Sequence, residues 1–390
     1  MPPCRRFRVV LAIGVAWGLL GPASTADAQE AAAPRPEPAR LRQVVETLAS
    51  PEFEGRSGAG GDRAAAYLVD RFRRLDLEGL FGGEFTQAIP GKEPGTEIGR
   101  NVGARLRGSD PKLRDEWVIV AAHFDHLGIR GGKLYPGADD NASGVAMMLE
   151  VARCVATGPQ PPKRSIMFIG FDLEEAGLYG SRYFVAHSPV PLERVALFVT
   201  ADMIGRSLAG ICGDHVFVMG TEHAPGLRPW IDRAGRGRPL TVDLLGSDIL
   251  VLNRSDYGPF RSRGIPFLFF TTGENPRYHS PRDTPETLDH SKMTEIARMI
   301  HQVVRTAIDA PAVPRWQDRP DNPIAEAIAL RAVLRILSDH GESLKIGVAQ
   351  SFVIRRTLDL LDGIVGRGAI TPEERAQVIQ GARVVLFTVL

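Results

Sequence analysis

Between Trp117 and Ala122 the chain carries an unbroken apolar run, WVIVAA, whereas Ala65, Tyr67, Leu68, Phe72 and Leu75 recur at helical spacing in an earlier, otherwise polar segment. The first pattern reads as a strand and the second as an amphipathic helix over about residues 62–75. From Asn101 the two patterns alternate. Strands are predicted at 117–122, 165–171, 195–201 and 265–271, with helices at about 143–156, 178–186, 225–234, 255–263 and 290–308. Such alternation predicts an α/β domain built on a mostly parallel sheet.

A short helix is predicted over about residues 41–48, followed by a Gly-rich stretch at 54–61. That stretch is read as a plain turn: a phosphate loop would follow an apolar strand and end in Gly-Lys-Ser/Thr. Past residue 310 the character changes. The segment PAVPRWQDRPD, residues 311–321, reads as a linker. Asn322-Pro323 can cap a helix to about Ser338, a second apolar segment covers about residues 345–365, and Thr371-Pro-Glu-Glu374 is a capping box. Residues 322–390 are therefore expected to form a small C-terminal helical appendage, its apolar stripe packing on the main domain (residues 41–310) or on another subunit.

The N-terminus has a different pattern. Arg5, Arg6 and Arg8 precede an apolar run from Val9 to Leu20, and Ala26-Asp27-Ala28 follows. This is expected to be a secretory signal peptide over residues 1–28, because about a dozen apolar residues are too few to span a bilayer. Residues 29–40, rich in Ala, Pro and Glu, read as a flexible leader. The mature protein is then expected in the periplasm or outside the cell, with no stable membrane span.

Composition narrows the function. Hydrophobic residues at 44% and charged residues at 24% of 390 describe an ordinary globular chain. Cleavage after residue 28 would remove three arginines and one aspartate, taking the formal net charge from +1 to −1. A near-neutral chain offers no electrostatic basis for nucleic-acid binding. Export also removes Cys4, and Cys154 and Cys212 are read as small buried hydrophobes.

The chemistry gathers where strands end. His123 and Asp125 follow the first strand, Glu174-Glu175 the second and Asp202 the third, while His279 lies a short loop beyond the fourth. Asp139-Asp140 stands at the mouth of the helix after the first strand. Open parallel sheets collect ligands beyond the carboxyl ends of their strands, and mixed His and carboxylate donors suit zinc. One such residue is more simply a core histidine or a helix cap; the recurrence at four strand ends points to a metal site.

These motifs resemble the M28 family of zinc peptidases, the co-catalytic aminopeptidases, over about residues 50–308. The resemblance is carried by AHFDHLG at 122–128, GADDNASG at 137–144, DLEEAG at 172–177, ADMIG at 201–205 and Tyr278-His279, with Ser255-Asp256 and Gly264-Ile265-Pro266 matching the approach to the last strand. It implies a zinc-exopeptidase sheet with helices on both faces, and two zinc ions. Asp139 would bridge them, His123 and Asp202 completing one site and Glu175 and His279 the other. It also implies a cis bond between Asp139 and Asp140. Asp125 would accept the other ring N–H of His123 and fix its tautomer. Glu174, free of metal, would act as general base and then as proton donor to the leaving amine.

The expected function is a secreted aminopeptidase acting on peptides with a free N-terminus. A single-zinc glutaminyl cyclase or a carboxypeptidase of the same fold is the alternative, and an inactive binding module is a third reading, disfavoured because Glu174 and Asp139 are retained. His126 is expected at the rim of the site, and His187, His215, His223, His290, His301 and His340 in structural or surface roles. Pocket residues are expected within 244–253 and around Tyr278. Oligomeric state is not legible.

Overall fold

The computed structural model describes residues 33–249, 253–321 and 324–389. The predicted signal peptide, residues 29–32 of the leader, positions 250–252 and the Asn322-Pro323 cap lie outside the described residues. Pro34–Leu390 forms one compact unit. Its elements open with α1 (Pro38–Leu48), α2 (Ala59–Arg74), β1 (Glu78–Gly79), β2 (Thr86–Pro90), β3 (Glu97–Leu106) and β4 (Trp117–His123). After the hairpin β5 (Ile129–Arg130) and β6 (Lys133–Leu134) come α3 (Gly144–Ala156), β7 (Ser165–Phe171), α4 (Tyr179–Ala186), β8 (Val195–Ala201) and β9 (His215–Met219). The domain continues through α5 (Arg228–Gly235), β10 (Thr241–Leu245), α6 (Tyr257–Arg261), β11 (Phe267–Thr271) and α7 (His290–Asp309), then α8 (Ile324–Asp339), α9 (Val348–Arg367) and α10 (Pro372–Val389).

The main sheet runs β1-β3-β7-β4-β8-β11-β9-β10, with β2 pairing β3. Its centre, β7-β4-β8-β11, is parallel, while β3 and β9 join antiparallel on either side. All four central strands were legible as apolar runs. The flanking β9 and β10 are five residues each, too short for periodicity to separate strand from helix or loop.

Side chains alternate along β4. Val118, Val120 and Ala122 join the core under α1, α2, α3 and α7, whereas Trp117, Ile119 and Ala121 face the core of α4, α6 and the C-terminal helices. Both faces of the sheet are covered, which is why the parallel strands read as continuous hydrophobic runs. The C-terminal helices pack against β10 through α8. The Thr371 capping box closes reciprocally: the Glu374 amide donates to Thr371 Oγ1 at 3.2 Å and the Thr371 amide to Glu374 Oε2 at 3.0 Å.

The leader differs from expectation over residues 34–40. Helix α1 starts at Pro38 rather than Leu41, with Pro in its first turn. Upstream, the Glu37 amide donates to Glu150 Oε2 at 3.1 Å, Arg298 Nε to the Pro36 carbonyl at 3.1 Å and Arg153 Nη2 to the Arg35 carbonyl at 2.9 Å. Side chains of α3 and α7 thus fasten a segment whose own composition suggested flexibility. The segment 311–321 is likewise held down: its Gln317 and Asp321 amides donate to the His223 and Glu222 carbonyls, each at 2.7 Å, and Trp316 stacks on the His223 ring at 4.0 Å. Cys154 and Cys212 are both free and buried.

Candidate metal centre

The carboxyl ends of β4, β7 and β8 converge, carrying His123, Glu174-Glu175 and Asp202 to one cleft; the loop after β11 adds His279. Parallel pairing makes this unavoidable, since β4 lies between β7 and β8 with all three running the same way. Two donor sets emerge. His123, Glu174 and Asp202 present atoms within 4.8 Å of one another, as do His126, Asp140 and Glu175. His279 Nε2 lies 3.0 Å from Glu175 Oε2 and 3.2 Å from Asp140 Oδ2.

Asp140, not Asp139, stands between the two sets. Its Oδ1 is 3.4 Å from His123 Nε2, the nitrogen that also lies 3.4 Å from Asp202 Oδ1, and its Oδ2 faces His279. Asp139 points away. Its Oδ1 accepts the Gly205 amide at 2.6 Å, and its Oδ2 accepts Asn275 Nδ2 at 3.3 Å, with Arg206 Nη1 3.6 Å away. The cis bond is Asp140–Asn141, one position later than expected. Two adjacent aspartates are indistinguishable by residue type. Which one faces the cleft is decided by backbone conformation, extended at Asp140 with φ −106° and ψ 93°.

His126 also departs from expectation. It is 3% exposed, not at the rim, with Nδ1 2.7 Å from Glu175 Oε1 and 3.7 Å from Asp140 Oδ2. Asp125 lies beside His123 Nδ1, its Oδ1 at 3.5 Å, and also accepts the backbone amides of Glu174 (3.1 Å) and Glu175 (3.3 Å). One carboxylate therefore orients the histidine and fixes the turn carrying both glutamates.

Four supporting residues had no role in the sequence reading, although Asn141 and Asp256 lie in its motifs. Arg56, fully buried in the turn before α2, donates to the carbonyls of Leu48, Phe124, Pro136, Gly137 and Asp140. Asp283 accepts the Asp139 amide at 2.9 Å and the Asp140 amide at 3.1 Å, and binds Arg206 Nη1 at 2.5 Å. Asn141 ties the start of α3 to β8, donating from Nδ2 to the Ala201 carbonyl at 2.9 Å while its Oδ1 accepts the Gly144 amide at the same distance. Asp256, 0% exposed, lies near enough to Glu174 to repel its charge. The only signal for Asp283 was its place four residues after His279.

The electrostatics are those of a site short of positive charge. Burial pushes Glu174 well above the carboxylate range; the attraction of His123 opposes this, while Asp202, Asp256 and Asp125 add repulsion. Burial also raises Asp256 to about 7. Desolvation would raise Asp140 too, but the histidines on either side hold it well below its usual value. For His279, the carboxylates of Asp140 and Glu175 beside its Nε2 overcome desolvation and lift the imidazole to about 10. Asp140 Oδ2 and His126 Nε2 are buried without hydrogen-bond partners. Orphaned donor atoms in an acid-rich, histidine-lined cleft fit divalent cations of borderline softness, zinc above all.

Residues 101–304, just over half of the chain, match the model of Peptidase family M28. The chain belongs to peptidase family M28. Aminopeptidase YwaD of Bacillus subtilis is 29% identical over 208 residues, covering 51% of this chain and 42% of that protein; the chain thus spans under half the length of this curated relative. Among solved structures, the LapA aminopeptidase of Legionella pneumophila superposes with a TM-score of 0.54 at 22% identity, over 70% of this chain and 73% of that one. The glutaminyl cyclase of Porphyromonas gingivalis superposes at 0.57 with 20% identity, over 69% and 97%. At these identities the two structures show a shared fold. The M28 match ends before α8, so the three C-terminal helices lie outside it.

A cavity of about 300 Å³ opens beside the centre. Asp140, Glu174, Glu175 and Asp202 line it together with Leu334 of α8 and Val385 of α10. Tyr278, Leu245 and Ile249 line it, as expected for Tyr278 and for part of the 244–253 segment.

Proposed function

We propose that the protein is a zinc-dependent aminopeptidase with a two-metal site. Asp140 would bridge the two ions, with His123 and Asp202 holding one and Glu175 and His279 the other. The observation that carries this reading is the position of the Asp140 carboxylate, one oxygen toward His123 and the other toward His279. Zinc held there supplies the Lewis acidity that acidifies water and polarises a scissile carbonyl. His126, against Glu175, supports that carboxylate and holds its orientation.

Glu174 remains for proton transfer. It lies beside His123 and Asp202 yet its backbone amide is fixed by Asp125, so its carboxylate is presented to the cleft on a rigid turn. Glu174 takes a proton from the attacking water as oxygen adds to the carbonyl carbon, and returns it to the amine nitrogen as the C–N bond breaks. The acidic cleft and the adjoining cavity favour a cationic N-terminal ammonium with a side chain directed into the apolar space.

The test is release of N-terminal residues from unblocked peptides, with acetylated peptides as controls, before and after chelation. The reading expects release from free N-termini only, lost on chelation and restored by zinc, and a fall on the order of 10²–10⁴ in kcat for Glu174→Gln with zinc still bound. Equal cleavage of acetylated peptides, or turnover indifferent to chelation, would exclude it. We also read the protein as exported, on the sequence of residues 1–28 alone; a mature N-terminus at Met1 in material recovered from cells would refute that.

A further inference from the structure

The cavity beside the centre has two walls of different origin. One belongs to the M28-matching region: Leu245, Phe269 and Tyr278. The other consists of Leu330, Val333, Leu334 and Leu337 from α8 with Ala382 and Val385 from α10, all outside that region. Each of these six is at most 7% exposed. Their side chains line the same space as the catalytic carboxylates.

The second wall is fastened to the first by an ionic clamp centred on the buried Glu326. Arg375 of α10 donates from Nη1 and Nη2 to the two carboxylate oxygens of Asp248, at 2.7 Å each. Its Nε and Nη2 also donate to Glu326 of α8 at 2.6 and 2.9 Å. Glu326, 2% exposed, in turn accepts the Gly246 amide at 2.7 Å. Arg383 donates to the Asp248 and Ile249 carbonyls. The segment held this way, residues 246–249, carries Ile249 into the cavity and directly follows Leu245. Bidentate arginine pairs are directional, so the clamp fixes both the position and the angle of the helical wall.

Chemistry and size define the occupant. Among the described residues the lining beyond the catalytic carboxylates is mostly apolar, and its one cation, Arg254, is paired with Glu274, which also lines the space. An apolar cavity of about 150 Å³ accommodates a benzene ring; this one is near 300 Å³. It has room for a whole aromatic side chain, and the Arg254 and Glu274 side chains in its lining are already paired with each other.

We propose that α8 and α10 form the specificity wall of the active site, selecting peptides whose amino-terminal residue is large and apolar, aromatic above all, with Ala382 and Leu334 setting the depth of the pocket. This inference rests on the aminopeptidase reading for its substrate orientation. Discrimination arises because a small side chain leaves the apolar wall unfilled, each missing methylene weakening transition-state binding.

The experiment measures kcat/KM of zinc-loaded enzyme for alanyl, leucyl, phenylalanyl and tryptophanyl anilides, alongside calorimetric binding of free L-phenylalanine and L-alanine, which needs no turnover. Wild type is expected to prefer phenylalanyl over alanyl substrate by at least about tenfold. Ala382→Phe, which fills the cavity, should reduce that ratio by about tenfold or more and abolish the preference for free phenylalanine. Leu334→Ala, which deepens it, should raise the tryptophanyl-to-phenylalanyl ratio and carries the test alone if the first variant does not fold. Ratios and binding preferences unchanged within about twofold in the folded variants overturn the specificity wall. Wild type that turns over no anilide, yet binds phenylalanine in a way Ala382→Phe abolishes, overturns the aminopeptidase reading and leaves the wall standing.

Discussion

The Asp283 carboxylate grips Asp140 by its backbone: Oδ2 accepts the Asp140 amide at 3.1 Å while Oδ1 accepts the amide of Asp139 at 2.9 Å. An acid in the loop after His279 thereby fixes the conformation of the loop that presents the central carboxylate, and Arg206 neutralises it from behind at 2.5 Å. The two halves of the proposed metal site are tied together without either residue entering the cleft.

Asp283→Ala should therefore weaken the site without removing a donor. Partners that orient ligands typically cost 10–100-fold in metal affinity or activity when removed, and a loss of about that size is expected in zinc affinity, measured by competition with a fluorescent chelator. Unchanged affinity in a folded variant would mean that the Asp140 loop holds its shape unaided.

Arg56 has a structural task of the same kind at larger cost. Its guanidinium serves five carbonyls, one of them that of Asp140, from a position with 0% exposure. Arg56→Met keeps the volume of the stem and removes every donor. Stranded buried acceptors make a loss on the order of 3–5 kcal/mol the expected outcome in urea denaturation; a change below about 1 kcal/mol would show that water replaces the guanidinium.

These residues show where sequence was informative. Donor types at strand ends were legible because parallel pairing brings the carboxyl ends of β7, β4, β8 and β11 to one edge, so His123, Glu174, Glu175, Asp202 and His279 can be gathered from the sequence. The choice between Asp139 and Asp140 was not, since it turns on one residue of backbone register. Arg56 and His126 were hidden for a different reason: a buried arginine and a buried histidine look like surface residues until the loops that cover them are known. Residues 34–40 looked like a flexible leader because their anchors, Arg153 and Arg298, lie more than a hundred residues away.

Acid should find one weakness remote from the centre. Burial holds the His301 imidazole on α7 down to about 4, with Arg305, Arg153 and Arg238 adding repulsion, and its Nε2 has no hydrogen-bond partner. The folded state resists protonation that the unfolded chain accepts near pH 6.5. Stability is thus fully present above about pH 6.5 and is lost as pH falls toward 4. Denaturation of wild type and His301→Leu at pH 7 and pH 4.5 isolates this contribution: the acid-induced loss should be smaller in the variant by on the order of 2 kcal/mol. Equal losses would contradict it.

The position of Asp140 between two donor sets is tested most directly by counting zinc with native mass spectrometry on wild type, Asp140→Asn and Asp139→Asn. Two ions per wild-type chain, a loss of zinc in Asp140→Asn and retention of both in Asp139→Asn is the predicted pattern. A single zinc in wild type, or two ions retained by Asp140→Asn and lost from Asp139→Asn, would contradict it.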